Sequence, residues 1–278
     1  MEGELNLKQV ASRLGVHYMT AYRYVRQGRL DARRDGEGWR VAPAALAAFL
    51  AGAGDRPSAA RGADWSARLE GRLLAADEPA AWQVIEAALA AGRSPEYCYV
   101  EMLAGALAHI GERWAAGELD VADQHLATAV VARLVARLGA RFRRPGRARG
   151  TAVFGAAPGE LHSLPIAIAS DLVRLRGYDV LELGADVPPE AFVSAAARTP
   201  RLICIGIGVT QPELLGAVQQ VLDAVRAHDG EVPVLVGGLA AATFGATRLR
   251  GVSGIAADGA AAVALVERFA AARTLRAV

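Results

Sequence analysis

The segment Pro158-Gly-Glu-Leu-His162 sets one carboxylate and one imidazole two residues apart, in a connection between an apolar run and a helical stretch. A neutral imidazole is a good donor to a transition metal. A carboxylate that accepts its other ring N–H fixes the tautomer and strengthens that donor. Glu160 and His162 are therefore read as a ligand pair, with His162 the axial ligand to the metal of a large flat cofactor. An isolated loop histidine is more often a solvated surface group, so its neighbours must decide. Thr210 follows a later apolar run and Gly237-Gly238 closes another, and glycines at a strand end let a ligand approach the backbone closely. A nicotinamide site would want Gly-x-Gly-x-x-Gly after the first strand, which Gly155-Ala-Ala-Pro-Gly159 does not supply. The five histidines have no triad context, which points away from an enzyme.

These residues need a sheet to position them. Thr151–Ala157, Asp179–Gly184, Leu202–Val209, Val232–Gly238 and Val252–Ala257 read as strands with helices between them. The alternation predicts a flavodoxin-like, doubly wound parallel α/β sheet, Rossmann-like in its layers, over 151–278. Such folds bind ligands at the carboxyl edge of the sheet, where the loop carrying His162 falls. Upstream, 65–142 reads as a four-helix bundle with helices at Ser66–Ala75, Pro79–Ala91, Pro95–Ala116 and Val121–Phe142. Residues 53–64 and the basic stretch 143–150 read as linkers. Trp114, Gln124 and His125 stand on either side of one short interhelical connection. Trp114 also suits a bundle core, and His125 an ordinary helix surface. Arg133, Arg137 and Arg141 repeat at i, i+4, a face available to DNA, to another subunit or to water.

The first 52 residues read as a winged helix–turn–helix. Asn6 caps a helix over Leu7–Leu14, a turn at Gly15-Val16 follows, and Tyr18–Gln27 forms the second helix. A hairpin turning at Asp35–Gly38 and a helix from Pro43 complete it. Thr20, Tyr22, Arg23 and Arg26 are its exposed groove-facing candidates, with Arg33, Arg34 and Arg40 of the wing as phosphate contacts. Trp39 reads as wing core. Arginine can read guanine edges or only neutralise phosphate, and both remain open at this point.

Charge supports that division. Lys8–Arg34 holds seven basic residues and one acid, whereas 151–278 holds ten arginines against twelve acids. Only the head is suited to a polyanion, double-stranded DNA in this reading. A single small head makes few contacts, which argues for pairing of copies. There is no long apolar span and no basic-then-apolar leader, so no membrane association is expected and a cytoplasmic location is. Cys98 and Cys204 read as core residues.

The head resembles the excisionase-like branch of the MerR-type winged helix–turn–helix family, through Leu7–Val16, Tyr22–Gly28 and Trp39-Arg-Val41. Residues 66–278 resemble the cobalamin-binding unit of B12-dependent photoreceptor transcription regulators and of methionine synthase-type modules. Glu160-Leu-His162 matches that family's acid-x-His element, Asp179–Pro188 its second strand and loop, and Val236-Gly-Gly238 its paired glycines. Trp114 followed by Gln124-His125 is similar to the light sensors' Trp, nine residues, Glu-His element. The resemblance implies adenosylcobalamin or methylcobalamin as cofactor, with His162 as lower cobalt ligand. It also implies Trp114 over the upper face, His125 able to reach cobalt once the upper ligand leaves, and Gln124, Glu160, Val209, Thr210, Gly237 and Gly238 around the cofactor. It implies a light-responsive repressor that binds an operator as a dimer or tetramer, with a light-independent sensor of cobalamin or another tetrapyrrole, and a corrinoid carrier for methyl transfer, as the alternatives. Three departures stand out: Gln124 where the sensors have glutamate, Pro165 where corrinoid proteins have glycine, and Gly208-Val209-Thr210 in place of Ser-x-Leu.

Overall fold

The computed structural model describes residues 4–14, 21–22, 24–25, 30–35, 38–52, 64–142 and 146–276. The chain forms two compact units, Met1–Asp64 and Trp65–Val278, each described by itself.

In the first unit, β1 (Leu5–Asn6) runs into α1 (Leu7–Leu14), and β2 (Arg33–Asp35) and β3 (Gly38–Val41) make the hairpin before α2 (Pro43–Gly52). Asn6 Oδ1 accepts the Gln9 N–H at 3.0 Å while Gln9 Oε1 accepts the Asn6 N–H at 3.0 Å. This reciprocal cap starts α1 where the sequence predicts. β1 lies antiparallel to β3, with Leu5 opposite Val41, so the wing is a three-stranded sheet in the order β1-β3-β2. That third strand is too short to read from the chain. Leu7, Val10, Ala21, Val25, Leu30, Val41 and Leu46 form the core, with Trp39 packed on it as expected.

The second unit opens with α3 (Trp65–Leu74) and α4 (Glu78–Ala90). The third helical stretch begins at Pro95–Tyr97, widens into π-helix over Cys98–Leu103 and continues as α5 (Ala104–Ala115); α6 (Val121–Phe142) follows. Leu69, Leu73, Ile85, Met102, Leu103, Ile110, Leu134 and Leu138 are fully buried. The arginine face of α6 is exposed and pairs along its length with α4. Arg133 pairs with Glu78, Arg137 lies 4.0 Å over the Trp82 ring and Arg141 reaches Glu86 at 3.2 Å. Both helices advance by four residues per contact, so α4 and α6 run in the same direction, as second and fourth helices of an up-down bundle do.

The sheet comprises β4 (Thr151–Ala156), β5 (Asp179–Glu182), β6 (Leu202–Gly208), β7 (Val234–Gly237) and β8 (Gly254–Ala256). All pairings are parallel and the order is β5-β4-β6-β7-β8, the flavodoxin-like order. Helices α7 (Leu164–Leu175), α8 (Pro189–Ala197), α9 (Leu215–His228) and α10 (Gly259–Arg276) connect and cover it. β6 is buried along its whole length, as a central strand covered on both faces must be. Pro165 lies in the first turn of α7, where its missing N–H costs nothing. Among the described residues, no helix is long and apolar enough to cross a membrane.

Candidate cofactor and DNA-binding sites

Glu160 is 1% exposed, yet its carboxylate has a donor on every side. Oε1 accepts the His162 backbone N–H at 3.0 Å and stands 2.5 Å from His162 Nδ1. Oε2 accepts the Thr210 N–H at 2.6 Å and the Thr210 hydroxyl at 2.7 Å. Burial pushes the Glu160 carboxyl up, but the two Thr210 donors and the two from His162 outweigh it and hold the group below its ordinary value. An ionised carboxylate at Nδ1 makes that nitrogen the protonated one and leaves the Nε2 lone pair free. The His162 side chain is 56% exposed, so the free nitrogen belongs to a solvent-facing imidazole at the carboxyl edge of the sheet. Thr210, from the end of β6, also lies 3.1 Å from His162 Nδ1. The loops after β4 and β6 thus build one Glu160–His162–Thr210 cluster.

Other predicted residues fall on two surfaces. Trp114 is 43% exposed, which excludes the bundle-core reading, and its helix ends at Gly117, a left-handed residue that donates to the Trp114 carbonyl at 2.9 Å. Asp120 and Asp123 cap each other's backbone N–H groups at 2.9 and 3.0 Å, fixing the first turn of α6. Gln124 is half-buried there and His125 is exposed. Val121 and Leu126 beside them are exposed apolar groups, as is Leu161 beside His162 at 73%. An open imidazole nitrogen with bare apolar side chains on both subdomains fits a large flat metal cofactor.

At two of the expected residues the fold itself sets a constraint. The Val209 side chain is fully buried in the sheet core, so only its backbone is available to a ligand. Gly238 has φ +98, and a Cβ there would lie 2.3 Å from the Val209 carbonyl oxygen. Its lack of a side chain is thus demanded by the fold itself, before any ligand is considered. Gly237 is half-buried at the end of β7 and has no such conflict.

In the head, Thr20, Arg23 and Arg26 lie outside the described residues. Tyr22 packs partly buried against the head core instead of standing exposed. Arg33 is exposed but engaged by Glu4 at 2.8 and 2.6 Å, which ties the wing to the N-terminal strand. Arg34 is exposed and Arg40 half-buried on the wing. The sequence reading missed the Glu4–Arg33 pair because its partners are far apart in the chain.

Comparison with known proteins adds to this geometry. Two distinct families, each described as B12 binding domain, match residues 65–138 and 150–267, and a helix-turn-helix domain matches 4–54. The chain is a helix–turn–helix protein with a two-part B12 binding domain. Over 199 residues it is 33% identical to the HTH-type transcriptional repressor CarH of Myxococcus xanthus, a match covering 70% of this chain and 65% of that protein. It thus spans just under two thirds of that relative's length. It is also 26% identical over 169 residues to trimethylamine corrinoid protein 1 of Methanosarcina acetivorans, covering 58% of this chain and 77% of that one. The monomethylamine corrinoid protein of Methanosarcina barkeri shares the fold, with TM-score 0.63 at 16% identity, covering 72% of this chain and 95% of that one.

Proposed function

We propose that this protein is a cobalamin-dependent transcription regulator, a repressor that binds a double-stranded DNA operator as a homo-oligomer and responds to light. The observation that carries the reading is the carboxylate-held His162, in a B12 binding domain that shares its chain with a helix–turn–helix head. Bound cobalamin would supply a cobalt–carbon bond whose state is the signal. The protein's own residues do the rest. Glu160, fixed by Thr210, holds the Nδ1 proton of His162 and keeps Nε2 as the donor to the metal. Trp114 and His125, exposed near the two ends of one interhelical turn, are the bundle's groups that would contact the cofactor. Thr20, Arg23 and Arg26, with Arg34 and Arg40 of the wing, contact DNA; Arg33 contributes only if it leaves Glu4.

Gln124 favours a second reading, a cobalamin sensor indifferent to light, because an amide replaces the charged group of the light sensors at that place. One experiment separates the two. Purified protein is loaded in the dark with adenosylcobalamin or methylcobalamin, and its absorbance, mass by light scattering and retardation of DNA selected from a random pool are followed before and after green illumination. Light-dependent loss of DNA binding supports the first reading; cofactor-dependent but light-independent binding supports the second. Absence of both cofactor uptake and DNA binding defeats them together.

A further inference from the structure

We infer that Asp186 is a positioning residue for the metal ligand, acting on the His162 loop from the neighbouring strand; the inference rests on His162 being that ligand. Asp186 lies between β5 and α8 with φ +52. In this conformation its Oδ1 accepts the Gly159 N–H at 2.7 Å, and its own N–H donates to the Glu160 carbonyl at 2.9 Å. The next residue, Val187, donates its N–H to the Ala156 carbonyl at 3.1 Å. Two consecutive residues therefore grip the loop at Ala156, Gly159 and Glu160.

The sheet order gives this grip its meaning. β4, which launches the loop, is flanked by β5 on one side and β6 on the other. Thr210, after β6, holds the Glu160 carboxylate. Asp186, after β5, holds the Glu160 backbone. The residue that orients the imidazole is thus fixed through its side chain from one neighbour and through its main chain from the other.

Residue chemistry at position 186 is informative too. A left-handed φ is disfavoured for side-chain-bearing residues, least so for aspartate and asparagine, and glycine adopts it freely. If the site required only a turn, glycine would suffice. Aspartate adds an acceptor at the one distance from which it reaches the Gly159 amide.

That difference supplies the test. Asp186→Gly keeps the turn and removes the acceptor; Asp186→Asn keeps both. Full-length protein with each substitution, and His162→Ala as reference, is titrated with adenosylcobalamin in the dark, and affinity and absorbance spectrum are recorded. Amide exchange at Gly159 is followed in the cofactor-free protein. The expected result is about a 10-fold weaker affinity for Asp186→Gly, the lower end of what removing a ligand's support costs. Its spectrum should move toward that of cobalamin lacking an axial imidazole, and exchange at Gly159 should accelerate, while Asp186→Asn stays near wild type. Wild-type affinity and spectrum in Asp186→Gly overturn the inference when His162→Ala has lost the imidazole-ligated spectrum. If His162→Ala retains that spectrum, the ligand assignment itself fails and the inference falls with it.

Discussion

The hydroxyl of Tyr99 donates a 2.8 Å hydrogen bond to Oδ2 of Asp171, joining the π-helical segment of the bundle to α7 of the sheet. Both residues are buried. The other carboxylate oxygen accepts from Arg174 at 2.8 Å, and Arg174 also reaches Glu182 at 3.3 Å and the Val180 carbonyl at 3.0 Å. Burial, and then the Asp171 charge, push the Tyr99 phenol far above its ordinary value, so it stays a donor over the whole working pH range. α7 begins two residues after His162, and the helical stretch that holds Tyr99 carries Trp114 in its last turn. This bond is one link between the two candidate faces of the cofactor site, beside the ion pair of Arg176 with Glu96 at 3.7 Å.

Tyr99→Phe should destabilise the protein by about 1.5–3 kcal/mol, the range for a hydrogen bond to a charged group. Urea unfolding of the cofactor-free protein measures it. A loss within about 0.5 kcal/mol, ordinary for an exposed surface change, would deny the bond any structural weight.

Gly139 of α6 lies against the same carboxylate, where a Cβ would stand 2.5 Å from Asp171 Oδ2. Gly139→Ala should cost about 1–3 kcal/mol by overpacking. The penalty should shrink in an Asp171→Ala background, since the colliding group is then gone. Equal penalties in both backgrounds would place the conflict elsewhere.

Thr210→Val removes a hydroxyl donor from Glu160 but leaves the backbone donor. We expect cobalamin affinity to fall about 10–100-fold, with His162→Ala falling further. Equilibrium dialysis against methylcobalamin in the dark provides the numbers, and unchanged binding in both variants would refute the Glu160–His162–Thr210 assignment.

Glu160 also predicts a pH dependence. Its folded value lies below the ordinary 4.5, so the stability it contributes is complete above that value and disappears as pH falls through the lower folded value. Glu160→Gln should remove this component of acid sensitivity. Urea midpoints compared from about pH 7 down to about pH 3 should converge for the two proteins at the acid end.

Burial pushes the Cys204 thiol up to about 12 and the Cys98 thiol up to about 11. Neither should react with a thiol reagent near neutral pH until the protein unfolds, because the thiolate is the reactive form. Labelling followed by mass spectrometry, with and without urea, tests this; rapid modification of native protein would contradict it.

Local signals made the sheet and the hydrogen-bonded Glu160–His162 pair readable. Apolar runs ending in glycine or a polar turn marked all five strands, and an acid two residues from a loop histidine marked Glu160 and His162. What escaped depends on contacts distant in sequence. The two-residue strand Leu5–Asn6 exists only because Val41 and Arg40 pair with it. The i, i+4 arginines do form an exposed face, but their pairing with Glu78, Trp82 and Glu86 carries no mark in the sequence. Gly238 suggested a ligand, yet its nearest constraint is the Val209 carbonyl. Asp186 drew no reading of its own within Asp179–Pro188, and only the fold brings it to Gly159.

The widened turn at Cys98–Leu103 divides one long rod into two working halves. Its near end is bolted to α7 through Tyr99, whereas the far end carries Trp114 out to the surface. π-helical turns are places where a helix bends without breaking. A swing at the tryptophan end can thus be taken up at this pivot, leaving the bolt in place until the displacement grows large enough to pull it.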